Sequence, residues 1–220
     1  MLTLMDSADE VPLLSHSTFG FERFIFFSDA VFAIAITLLV LDLHVPAGAP
    51  LAMGPLIPRF ICFGLSFCVI GRYWYAHHQL FERPQAYDAG LLTTNLAFLA
   101  SIVFLPFPTS AVILERPDPG PVIFYTLSVA AVGLLMMALN LVATRPALRP
   151  WTTQGRRARV LLNTAEAPLV FIVCAGVALR DSRLALWSIL ALIPLGWACA
   201  PLGRWLEARI DRPKPQRQPQ

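Results

Sequence analysis

The residues best placed to do chemistry are Ser28 and Asp29. They sit inside a run, residues 23–42, that is otherwise long and apolar enough to cross a bilayer. A carboxylate in a spanning helix is costly and by default marks a site with a partner. Three roles suit it: contact with a permeating ion, a proton-linked transport step, or a hydrogen-bonded brace between helices. A straight helix puts Arg23 about 120° round from Asp29, so those two meet only if residues 19–24 are irregular or a third group bridges them. His77 and His78 close a second apolar stretch. His77 either donates to Asp29 or is an interfacial residue with no special task. Glu166, near the start of a later apolar stretch, is a further partner for basic groups.

Other chemistries lack their residues. The chain has no Thr-Val-Gly-Tyr-Gly sequence, so a carbonyl-lined potassium filter is not available. It has no Gly-x-x-x-x-Gly-Lys-Ser/Thr loop and no His-Glu-x-x-His. A Gly-x-Ser-x-Gly elbow is missing too. With no nucleophile or metal site to rest on, an enzyme is not expected, nor any cofactor. Cys62, Cys68, Cys174 and Cys199 all lie in apolar segments without close Cys-x-x-Cys spacing, and read as small buried hydrophobes. Matched broken helices, the pointer to an inverted-repeat transporter, are not evident.

The elements that must position these groups are membrane helices. The chain has 220 residues, of which 56% are hydrophobic and 14% charged, with a mean hydropathy of +0.62. Soluble domains carry about 25% charge. Several runs reach the roughly 20 apolar residues that a spanning helix needs. Six spans are expected, near 21–44, 53–81, 89–113, 121–143, 159–179 and 184–206, with the third kinked at Pro106 and Pro108. The fold class is therefore an all-α polytopic membrane protein with six transmembrane helices. Residues 1–20 hold Asp6, Asp9 and Glu10 without a basic region before an apolar core, and read as a flexible leader. Residues 21–207 form the membrane domain, and the Pro- and Arg-rich residues 208–220 read as a disordered tail.

Charge sets the orientation. Six spans put both termini on one side, together with Arg23, Arg83, the connector arginines from Arg145 to Arg159 and the basic tail, twelve basic residues in all. The opposite loops hold three, Arg116, Arg180 and Arg183. The positive-inside rule then places both termini in the cytoplasm. The 145–159 connector lacks the interleaved aromatics of a nucleic-acid patch, apart from Trp151. No nucleic-acid partner is expected; anionic lipid headgroups are the plausible contact.

The first helix divides by angle. At 100° per residue, Ile34, Leu38 and Leu41 fall within about 60° of one another, while Asp29 lies about 140° and Ser28 about 120° from Ile34 on opposite sides. Thr37 is about 60° from Ile34. One face is thus an aliphatic ladder, and the back is polar and must be buried against protein. The ladder then meets lipid or a symmetry mate. In the second case it lines a narrow apolar constriction, which gates and selects ions by dewetting.

The run from Arg23 through Phe27-Ser28-Asp29-Ala30-Val31-Phe32-Ala33-Ile34-Ala35-Ile36-Thr37-Leu38-Leu39 resembles the signature of the transmembrane protein 175 potassium channel family in its prokaryotic form. His77 after Tyr73-Trp74-Tyr75, Asn95, and Leu105-Pro106-Phe107-Pro108-Thr109 are similar to it as well. The likeness is strong over about residues 21–110; beyond that only hydropathy agrees. It implies a six-helix subunit, a homotetramer and first helices lining the pore. By motif position, Ile34 matches the main constriction, Leu38 and Leu41 further apolar rings, and Thr37 a hydroxyl layer. Arg23, Ser28, Asp29 and His77 match the network that holds the helices together at the cytoplasmic end. The resemblance implies a potassium-permeable leak channel in the bacterial plasma membrane, its partners potassium ions, its own copies and membrane lipid. Ions would sit only transiently in the pore, with no resident metal. Lysosomal members carry two repeats and this chain one. A proton-coupled transporter and a non-conducting scaffold are the rival readings.

Overall fold

The computed structural model describes residues 18–43, 53–82, 86–112, 118–188 and 192–211. The leader before residue 18, the breaker-rich turn 44–50, Arg83 and Pro84, the turn 113–117 and the tail from residue 212 lie outside the described residues. Every long element is a helix: α1 Thr18–Leu38, α2 Met53–Phe81, α3 Ala89–Phe104, α4 Pro106–Ala111, α5 Pro119–Ala143, α6 Gln154–Ala178, α7 Ser182–Ser188 and α8 Leu192–Ile210. A tighter 3-10 turn, Leu39–Asp42, extends α1.

Short polar side chains start these helices by accepting the backbone N–H groups that the first turn leaves unpaired. The Asp88 carboxylate accepts from Leu91 N at 2.7 Å before α3. Asp118 accepts from Gly120 N at 3.0 Å before α5, with Pro119 as the first helical residue. Thr153 accepts from Arg156 N at 3.1 Å before α6. That cap explains why α6 begins at Gln154, ahead of the expected residue 159. The third span breaks where its prolines predict. Pro106 cannot donate to the helix before it, so α3 stops at Phe104 and α4 restarts at Pro106.

Five helical segments are long and apolar enough to cross a membrane: Gly20–Leu41, Leu56–Phe81, Ala89–Ala111, Pro119–Ala143 and Gln154–Ala178. The expectation of six is met by five among the described residues. The sixth expected segment is described in two pieces, α7 and α8, on either side of residues 189–191, and Arg204, Glu207 and Arg209 lie in the last turns of α8. Residues 184–203 carry no charge and reach about spanning length, but residues 189–191 within them lie outside the described residues.

The helices α5 and α6 form the most extensive pair, α8 packs on α6, and α3 packs on α5. Phe32, Ile70, Leu91, Phe98, Val122, Leu139 and Phe171 are buried between them. Gly133 lets α5 and α6 approach closely. A Cβ there would stand 2.7 Å from Pro168 Cδ and 3.1 Å from Pro168 N. Small residues at such crossings are how membrane helices pack without a hydrophobic driving force between them. Because the obstacle includes backbone, Gly133→Leu is expected to cost about 1–3 kcal/mol. Thermal unfolding in detergent reads it, and an unchanged melting temperature would show that the two helices part freely.

The cysteines divide. Cys174 is buried as the sequence suggests, Cys62 is half-buried, and Cys68 lies exposed on α2. The correction for Cys68 follows from its position next to Phe67 on the outward face of that helix, where a thiol is apolar enough for lipid. The side chain of Cys199 lies outside the described residues.

Candidate functional site

The polar back of α1 is held by hydrogen bonds from two other helices. Ser28 is fully buried, at 0% exposure, and His77 on α2 and Asn95 on α3 are buried with it. His77 Nε2 lies 2.9 Å from Asn95 Oδ1. A carbonyl oxygen only accepts, so Nε2 carries the hydrogen. Asn95 Nδ2 donates to Ser28 Oγ at 3.0 Å. Ser28 Oγ donates to Phe24 O at 3.0 Å. Donors and acceptors thus run in one direction through α2, α3 and α1. Every step is buried, which is where such a chain is strongest and an unmet group most costly.

Aromatic rings fix the imidazole. Phe81 lies 4.8 Å from its centroid, Phe32 5.6 Å, and Phe98 stacks at 5.9 Å with the planes 5° apart. The Asn95 amide and these rings together hold His77 inside the bundle, away from bulk water.

Asp29 stands apart from this chain. It is only half-buried, and its hydrogen-bond partner is the indole of Trp74, with Nε1 to Oδ1 at 3.0 Å. Trp74 in turn stacks on His78, with centroids 5.7 Å apart. The polar pair of α1 therefore splits: Ser28 enters the core and Asp29 lies along its edge. The reason is angular, because neighbouring helix residues point about 100° apart and only one can face the centre of the bundle. Arg23 is exposed at the start of α1. Of the four residues assigned to the brace, the structure joins Ser28 and His77 through Asn95 and gives Asp29 to Trp74.

Asn95 and Trp74 are the members that residue-by-residue reasoning missed as contacts. A signal existed. Trp74 and His77 are three apart on α2, so they share a face, and that face meets α1.

The other face of α1 is exposed on the subunit surface. Ile34 is 56% and Leu41 68% exposed, and Leu38 and Thr37 are exposed with them. Thr37 Oγ1 donates to Ile34 O at 2.8 Å, which leaves its lone pairs for an outside group. Phe32, Ala35 and Leu39, on the opposite side of the same helix, are buried.

A second charged feature lies between α2 and α6. Arg72 Nη2 meets Glu166 Oε1 at 3.0 Å, with the glutamate side chain 3% and the arginine side chain 51% exposed. This supplies the basic partner that Glu166 requires.

These features define an all-α, multi-pass membrane protein whose first helix is anchored on one side by a buried polar chain and exposed on the other. A family described as "Endosomal/lysosomal potassium channel TMEM175" matches residues 23–106, which contain the whole network. A potassium channel of Chryseobacterium sp. (strain P1-3) is 36% identical over 114 residues, covering 51% of this chain and 57% of that one. A potassium channel of Streptomyces collinus is 34% identical over 158 residues, covering 65% of this chain and 77% of that one. The crystal structure of a lysosomal potassium-selective channel TMEM175 homolog from Chamaesiphon minutus superposes with a TM-score of 0.67. That match is at 24% identity and covers 88% of this chain and 100% of the other, which shows a shared fold. The chain belongs to the TMEM175 family, a family of ion channels and not of enzymes.

Proposed function

We propose that the protein is a potassium-permeable leak channel of the bacterial plasma membrane, built as a homotetramer with four α1 helices around the ion path. The observation that carries this reading is the division of α1. Its polar side is tied to α2 and α3 through Ser28, Asn95 and His77, while Ile34, Leu38 and Leu41 stand exposed on the subunit surface. A ladder aimed by a buried brace fits a role against other copies better than passive contact with lipid. The potassium channels of Chryseobacterium and Streptomyces support the choice of ion.

In this reading Ile34 forms the narrowest ring, Leu38 and Leu41 further apolar rings, and Thr37 the neighbouring hydroxyl layer. Selectivity arises from an apolar constriction and is modest, because aliphatic groups do not replace a hydration shell as carbonyl cages do. Asp29 belongs to the support and not to the ion path. The segment α7–α8 completes a sixth crossing, which brings both termini to the cytoplasmic side with the basic connector 145–159. That connector meets anionic headgroups.

Purified protein in planar bilayers tests the reading. Single-channel currents are expected whose reversal potential follows the potassium gradient. Absence of current above control, or a reversal potential that follows the proton gradient alone, would overturn it.

A further inference from the structure

A cleft of about 470 Å³ opens between the C-terminal ends of α2 and α5 and the first half of α6. It is within the size range of small-molecule sites, about 300–1,000 Å³. Four arginines line it, Arg72, Arg149, Arg156 and Arg159, against two carboxylates, Glu82 and Glu166. Glu166 is taken by Arg72, and Arg159 holds Glu207 of α8 at 2.6 Å. Arg149 is 9% exposed and donates to the Leu80 carbonyl. Arg156 is exposed and forms no ion pair among the described residues.

Among the described residues, two neutral groups near the cleft lack hydrogen-bond partners. The Thr152 hydroxyl, in the cleft lining, is buried without a hydrogen bond, as is the Asn163 amide oxygen, which packs against Gly203 of α8. Native proteins leave few such atoms unmet. The wall therefore offers cationic donors and a hydroxyl. A phosphate group meets both, since its oxygens accept from cationic and neutral donors alike. The cleft lies where the charged connector follows α5, with Tyr75 exposed in its lining. Aromatic and basic residues together mark the headgroup level of a bilayer, and basic pockets between helices on that side suit anionic headgroups.

We propose that this cleft is a binding site for a phosphate-bearing group, with Arg149 and Arg156 as its cationic contacts and Thr152 as a neutral donor. The proposal rests on the reading that the 145–159 connector meets anionic headgroups, and narrows it to a defined site.

The full-length protein in neutral detergent is titrated with dioctanoyl phosphatidylglycerol, dioctanoyl phosphatidylcholine and inorganic phosphate, with thermal stabilisation as the readout. Saturable stabilisation by phosphatidylglycerol but not phosphatidylcholine is expected. Arg156→Gln is expected to weaken it about tenfold, as loss of one charge-assisted hydrogen bond does, while Arg157→Gln, outside the cleft lining, leaves it unchanged. Stabilisation by inorganic phosphate at equal concentration would support the site and identify its occupant as soluble phosphate. Equal weakening by both substitutions would overturn the cleft and leave the connector as a diffuse lipid contact. No preference for phosphatidylglycerol or phosphate over phosphatidylcholine would overturn both.

Discussion

Ile34→Asn is expected to bring the potassium-to-sodium permeability ratio toward one, with sodium conductance rising about tenfold, the effect of a barrier lowered by about 1.4 kcal/mol. In the proposed tetramer a ring of branched aliphatics would present no lone pair or dipole to an ion, and the barrier there would be one of dewetting and partial dehydration. An amide supplies both donors and acceptors at the same radius and removes the discrimination. The substitution is well suited to the question, because Ile34 is exposed and contributes nothing to the core of its own subunit. Reversal potentials under bi-ionic potassium and sodium measure the effect. An unaltered ratio would remove Ile34 from the constriction.

Asn95→Ala is expected to destabilise the bundle by about 3 kcal/mol, from an orphaned buried donor together with the space left behind. The amide is the shared partner of His77 and Ser28, and no described group stands ready to accept from Nε2 inside the cage of Phe32, Phe81 and Phe98. Asp29→Ala, by contrast, is expected to cost about 1 kcal/mol. It frees only the indole N–H of Trp74 at the half-buried edge of the bundle, where water or a headgroup replaces the carboxylate. Thermal unfolding in detergent, followed by size-exclusion chromatography, ranks the two variants. The reverse order would place the principal brace at Asp29.

The prediction about Asp29 differs from what the sequence suggests, and the difference is instructive. A lone carboxylate in an apolar run reads as the expensive group, so it attracts the strongest partner, Arg23 or His77. In the fold the costly position belongs to Ser28, whose 0% exposure admits no water. The carboxylate is relieved by standing at the edge, where a neutral indole is enough.

Much was legible without coordinates. Hydrophobic runs of spanning length located α1, α2, α3 with α4, α5 and α6, because in lipid the backbone must satisfy itself and a helix does so locally. The breaks at Pro106 and the starts at Asp88, Asp118 and Thr153 are likewise local chemistry. So is the separation of Ile34, Leu38 and Leu41 from the side of α1 that carries Ser28, since helical angles depend only on spacing. The sixth expected segment, 184–206, is described only as α7 and α8, with residues 189–191 between them outside the described residues.

The sequence by itself therefore determined the membrane character, the helix positions and the two faces of α1. Only the tertiary structure decided the partners: Asn95 between His77 and Ser28, Trp74 on Asp29, Arg72 on Glu166, and four arginines round one cleft. The physical reason is that each pairing joins residues far apart in the chain. Periodicity states which way a side chain points; what it meets there is set by the crossing of another helix.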